Sequence, residues 1–146
     1  MGINRSDSSR AHLRLRFKEG IIAELRLVSR KGQLLTSSSS TVRILNLSQN
    51  GLCFLTGLQL PVQHNYLAEF KMTISNVQLV VRGRIVWRAT NGNEHAHGVV
   101  FECSDAMRSL IIGVMNQELL ESQPQQQKIH YIYSRLLHKQ RTHYSS

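Results

Sequence analysis

Tyr66-Leu-Ala-Glu-Phe-Lys-Met-Thr-Ile-Ser-Asn-Val-Gln-Leu-Val-Val-Arg-Gly-Arg-Ile-Val-Trp-Arg88 alternates along two strands and turns once between them. Over Tyr66–Ile74, the residues Tyr66, Ala68, Phe70 and Met72 fall on one side, and Leu67, Glu69, Lys71 and Thr73 on the other. Ser75-Asn76 marks a hairpin tip, because short polar side chains suit tight turns. On the return, Val77, Leu79, Val81, Ile85 and Trp87 share one face, while Gln78, Arg82, Arg84 and Arg88 share the other. A period of two places successive side chains on opposite faces of a strand, so the stretch predicts a half-buried antiparallel hairpin. Its apolar face needs a partner layer, which the rest of the chain has to supply.

The flanking sequence supplies more strands. Asn91-Gly92-Asn93 offers the positive-φ residues of another turn, and His95–Cys103 returns as a strand through Val99 and Phe101. Upstream, Ile21–Val28 sets Ala23, Leu25 and Leu27 against Glu24 and Arg26. Thr41–Leu47 and Leu52–Thr56 are two further strands, joined by the corner Asn46-Leu-Ser-Gln-Asn-Gly51. Arg30-Lys31-Gly32, the Ser37–Ser40 run and the polar stretch from Pro61 to His64 read as connections. Ser104 before Asp105 is a helix N-cap signal, and Met107, Leu110, Ile111, Val114 and Leu119 follow at helical spacing. Short antiparallel strands followed by one helix predict an all-β domain closed, or nearly closed, into a barrel. Closure removes the edges that such strands would otherwise expose.

With 146 residues and 41% hydrophobic content, the chain suits one core and is short for two. The formal charge of +9 is unevenly spread, with +3 in residues 1–20, +2 in 21–121 and +4 in 122–146. Residues 1–19 therefore read as a flexible basic leader and residues 20–121 as the barrel plus helix. Residues 122–146 read as a basic extension in which Ile129, Ile132, Tyr133 and Leu136 make an amphipathic stripe after Gln123-Pro124. That stripe suits docking on its own barrel, on another protein, or on a second copy as a homodimer; an anionic membrane surface ranks below these, and a solubilising tail is the plainest alternative. Cys53 and Cys103 are too few for a disulfide framework and are expected to be buried as small hydrophobes in a reducing compartment. No apolar run reaches the ~20 residues of a transmembrane span, and residues 1–9 lack an apolar signal-peptide core. The expected location is cytoplasmic.

Two clusters carry the chemistry. Arg10-Ala-His-Leu-Arg14 places two guanidiniums four residues apart, and Asn46, Ser48 and Gly51 sit at the corner one strand later. A guanidinium can donate two hydrogen bonds to the O6/N7 edge of guanine, stack on a base, or pair with phosphate. Asn46 both donates and accepts, Ser48 adds a rotatable hydroxyl, and Gly51 permits positive φ and close approach of a ligand to backbone. These are the groups that a phosphorylated purine ligand needs.

Both clusters together resemble the signature of the PilZ domain family, R-x-x-x-R before the first strand and [D/N]-x-S-x-x-G one strand later. The Ile85-Val-Trp87 strand, the Gly98-Val-Val-Phe101 strand and the helix behind them support the resemblance over residues 10–121. It implies a six-stranded antiparallel split β-barrel with a C-terminal helix. It also implies a bacterial, cytoplasmic effector that binds cyclic diguanylate through Arg10, Arg14, Asn46, Ser48 and Gly51, with Trp87 as an additional contact. The expected mechanism is the folding of the Arg10–Arg14 leader onto the barrel, signalled to a downstream protein partner that governs motility, exopolysaccharide or a related output. No cofactor is implied.

Plainer readings stand beside these. The arginines alone are a solubilising leader, Asn46-x-Ser48 alone is a capped turn, and Trp87 by its alternation belongs equally to the core. Arg82 and Arg84 read as a solvated face. His95 and His97 lack a third ligand for a metal. No nucleophile–base grouping or phosphate loop points to an enzyme. Two other classes remain open: a PilZ-like scaffold without ligand, and a basic nucleic-acid-binding barrel, although DNA binding is not expected.

Overall fold

A computed structural model of the protein describes residues 13–122. The six strands are β1 (Arg14–Ser29), β2 (Ser40–Ser48), β3 (Gly51–Thr56), β4 (Tyr66–Ile74), β5 (Val77–Asn91) and β6 (Glu94–Phe101), followed by one helix, α1 (Asp105–Ser122). The β4–β5 hairpin forms as its alternation requires, in register from Ala68 opposite Gly83 to Ile74 opposite Val77. Ser75 and Asn76 both take positive φ, 51° and 64°, giving the two-residue turn that matches strand twist. All neighbours are antiparallel, in the order β1-β2-β3-β6-β5-β4, and β1 pairs with β4 to close the barrel.

The first strand starts at Arg14, well before Ile21. Arg14, Leu15 and Arg16 pair with Ser48, Leu47 and Asn46, and Leu15 is buried in the core. The ladder is then irregular until Ile21, with Gly20 at φ 80° over the aliphatic stem of Arg43. The charge of Arg14–Glu19 hides a strand whose alternation is broken by that irregularity. The leader expected over residues 1–19 is thus strand from Arg14 onward, while Arg10 and the stripe from Ile129 to Leu136 lie outside the described residues.

The inward faces of all six strands share one core, with Phe54 and Phe70 meeting edge-to-face at a centroid distance of 5.0 Å. Helix α1 covers one end of it. Ser104 Oγ accepts from the Met107 N–H at 3.1 Å, and Asp105 stands in the positively polarised first turn. Ile111, Val114 and Met115 are buried, whereas Leu110 is exposed, against its expected place on the packed face. Both cysteines are free and only half-buried; Cys103 packs against the core, and Cys53 does not belong to it. Cys53 points outward between the inward Leu52 and Phe54. Among the described residues no helix is long and apolar enough to cross a membrane.

Candidate functional site

Two irregularities in the ladders decide what faces outward. The β2–β3 register shifts between Ile44 and Asn46, and the β5–β6 register shifts between Ile85 and Trp87. A bulge inserts one residue into one strand and re-aims the side chains beyond it. Ile44 and Ile85 are in the core, but Trp87 is 46% exposed. The core reading of Trp87 is therefore overturned: the extra residue Val86 puts the alternation out of phase and brings the indole outside.

A row of paired residues results. Asn46 pairs with Cys53, Cys53 with Gly98, and Gly98 with Trp87. Arg16 stands opposite Asn46 at one end. The next row runs from Arg14 through Ser48 and Gly51 to Val100. Between and around these rows is an open depression of about 490 Å³, whose lining includes Arg14, Asn46, Ser48, Asn50, Gly51, Cys53, Trp87 and Gly98. Sequence-predicted Arg14, Asn46, Ser48, Gly51 and Trp87 thus come together from four strands. Sequence reasoning misses Asn50, Cys53 and Gly98 as site residues; only Gly98 carries a signal, as part of a strand signature.

Each side chain is held differently. Arg14 Nη1 donates to Asn46 Oδ1 at 2.7 Å, leaving the Asn46 amide N–H₂ as its remaining donor. Ser48 is buried; its hydroxyl donates to the Gly51 carbonyl and accepts from the Asn50 N–H, both at 3.3 Å, so it binds its own corner. Gly51 does not take positive φ. A Cβ there would meet the Val99 carbonyl oxygen at 2.0 Å, so glycine serves the close approach of β6 and not a left-handed turn. On the other side of the corner, Arg108 of α1 donates to the Gln49 carbonyl at 3.3 Å and to Asn50 Oδ1 at 3.0 Å.

Charge is distributed to the site's advantage. Glu69 accepts from Arg82 at 2.9 Å and Arg26 at 3.4 Å, and Glu102 from Arg30 at 2.7 Å, with Arg84 3.7 Å away. Arg82 and Arg84 are therefore paired rather than simply solvated. Among the described residues no carboxylate lies within ion-pair distance of Arg14, whose hydrogen-bond partner is a neutral amide. Among the described residues the Arg14 charge is thus without a carboxylate partner, an arrangement that suits an anion. Burial pushes the Cys53 thiol up from its usual range, with the Arg14 charge opposing.

The two strand histidines serve the barrel. His97 is fully buried, stacks on Phe54 at 4.8 Å and accepts the Leu60 N–H on Nε2 at 3.2 Å; His95 Nδ1 lies 3.0 Å from Thr90 Oγ1. Among the described residues no group of three metal-ligating side chains occurs.

The family model of the PilZ domain matches residues 8–117, which is most of the chain. The chain belongs to the PilZ domain family. No curated protein matches. Among solved structures, the PilZ chain is similar to the Bacillus subtilis inhibitor of motility MotI/DgrA, with TM-score 0.56 and 9% identity, covering 83% of this chain and 54% of that one. It is also similar to K. pneumonia MrkH, with TM-score 0.54 and 15% identity, covering 77% and 50%. MrkH in its apo state gives the same TM-score at 14% identity, covering 77% and 52%. These identities make the likeness one of fold, and the chain spans about half the length of those proteins.

Proposed function

We propose that this PilZ domain is a receptor for cyclic diguanylate that acts by binding and passes the event to a protein partner. The observation that carries the reading is the convergence of Arg14, Asn46 and Trp87, from β1, β2 and β5, on one outward depression. The Arg14 guanidinium suits guanine O6/N7 or a phosphate, and the Asn46 N–H₂ suits a second acceptor. The exposed indole offers a stacking face for a purine. Arg10, four residues before Arg14, supplies the second cationic fork. Arg14 already sits in β1, so its guanidinium is in place without any folding of the leader. Family membership supports the ligand class and an effector role in motility, exopolysaccharide or a related output.

Calorimetric titration with cyclic diguanylate tests the reading, with GTP, cyclic diadenylate and an oligonucleotide as competitors. Saturable binding of cyclic diguanylate with weak competition is the expected result. Trp87 is the chain's single tryptophan, so quenching of its emission reports this site alone. Arg14→Ala should weaken binding at least about tenfold, the loss of charge-assisted hydrogen bonds worth ~1.5–3 kcal/mol, with an unchanged circular dichroism spectrum. Unchanged affinity in that variant would move the site elsewhere, and salt-steep binding of the oligonucleotide alone would replace the receptor by a nucleic-acid binder.

A further inference from the structure

The indole of Trp87 lies on Gly98. The two residues face each other across the β5–β6 ladder, and a Cβ built on Gly98 would fall 1.9 Å from Trp87 Nε1, 2.2 Å from Cε2 and 2.5 Å from Cδ1. Those three nearest atoms all belong to the ring, and none to backbone. Gly98 does not have positive φ, so an alanine suits its backbone conformation, and the nearest obstruction to one is the ring. The glycine's missing side chain is thus what permits the ring to recline across β6.

That tilt changes the reach of the site. Asn46 and Trp87 are separated by β3 and β6, three interstrand spacings or about 14 Å across the sheet. An indole standing upright from β5 would face solvent at the rim. Reclined over Gly98, it lies one strand nearer to Cys53, Asn46 and Arg14, and walls the depression in place of rimming it. The bulge at Val86 brings the ring outside, and Gly98 lays it down.

We infer that Gly98 is a positioning residue for ligand recognition: it seats the Trp87 ring as a preformed stacking platform at the distance from Asn46 that one purine-bearing ligand spans. This rests on the receptor reading above. Gly98 itself offers no side-chain contact, and its effect passes entirely through the ring. Preformed platforms favour affinity because no side-chain freedom is lost when the ligand arrives. The Trp87 side of the site is thereby set in advance, as Arg14 is by its hydrogen bond to Asn46.

A double-mutant cycle decides the matter, using Gly98→Ala, Trp87→Ala and the double variant in the full chain. Trp87→Ala should weaken cyclic diguanylate binding about tenfold to a hundredfold, the range of base–aromatic stacking. Gly98→Ala should weaken it about fivefold or more, with altered Trp87 emission and greater quenching by acrylamide in the ligand-free protein. In the Trp87→Ala background, Gly98→Ala should change affinity less than twofold. The double variant also answers for folding, since removing the ring removes the obstruction. Wild-type affinity and emission in Gly98→Ala overturn the inference, as does an equal loss in both backgrounds, which would place the effect in the backbone. Should the wild-type chain ignore cyclic diguanylate, the receptor reading falls. The acrylamide arm then still separates the two, since unchanged quenching in Gly98→Ala would show that the glycine does not seat the ring.

Discussion

Gly51 lacks a side chain because the Val99 carbonyl oxygen occupies the place where one would begin, 2.0 Å from where a Cβ would stand. A methyl group there can be accommodated only by separating β3 from β6, since the obstruction is backbone and not a movable side chain. Gly51→Ala should therefore destabilise the barrel by about 1–3 kcal/mol, the usual cost of overpacking, read as a lower urea midpoint with little change in slope. Stability equal to the wild type would mean that the strands already stand further apart. The same residue shows how a motif can be read correctly and explained wrongly. An Asn-x-Ser-x-x-Gly corner announces a glycine with a purpose, but the sequence alone offers positive φ and close approach of a ligand as the reasons. The position of β6, contributed from far along the chain, adds the reason that the structure shows. Asn46 is a similar case: its amide is legible as a donor and acceptor, yet its engagement by Arg14 at 2.7 Å depends on a strand hidden behind the leader's charge.

At the level of elements, alternation predicts strands well and their faces only up to the first bulge. Val77–Ile85 obeys the period of two, and one inserted residue at Val86 then reverses the side on which Trp87 emerges. Hydropathy carries no mark of that insertion, because Val86 is as apolar as its neighbours. The helix poses the equivalent problem in angle, since Leu110 and Ile111 both fit an apolar stripe when only spacing is known. Packing over the barrel end separates them, with Ile111 at 0% exposure and Leu110 at 44%. Ile111→Ala should cost about 2–5 kcal/mol as a large-to-small change in a closed core. Leu110→Ala should stay within about 0.5 kcal/mol, as for surface substitutions away from special features. Comparable losses in thermal denaturation would show that α1 packs on the barrel through a different face. Because Arg108 of the same helix holds the Gln49–Asn50 corner, helix packing and site geometry are mechanically joined.

Across the whole molecule, the barrel's response to acid follows from two groups, one buried and one partly exposed. His97 lies in the core, where burial above all lowers its pKa from the ordinary 6.5; the Arg88 and His95 charges act the same way, while the His95 backbone opposes without closing a hydrogen bond to Nδ1. The unfolded chain takes up a proton near pH 6.5 and the folded chain resists it. Stability is therefore full above that pH and falls as pH drops from 6.5 towards the lowered folded value. The structural consequence is specific. Protonated Nε2 can no longer accept the Leu60 N–H, and the connection between β3 and β4 loses one of its ties, among which are also Arg88 to the Leu60 carbonyl at 3.0 Å, Tyr66 to the Pro61 carbonyl at 2.6 Å and Arg30 to the His64 carbonyl. Glu102 acts later. Its hydrogen bond to Arg30 holds its carboxyl below the ordinary 4.5, so that contribution is present above pH 4.5 and is lost as pH falls through the lowered value. Urea midpoints measured from pH 8 to pH 3 should thus fall in two stages. His97→Gln, which cannot titrate, should flatten the stage below pH 6.5 and leave the Glu102 stage in place. An identical pH slope in wild type and His97→Gln between pH 7 and pH 5 would show that the buried imidazole does not set the first stage.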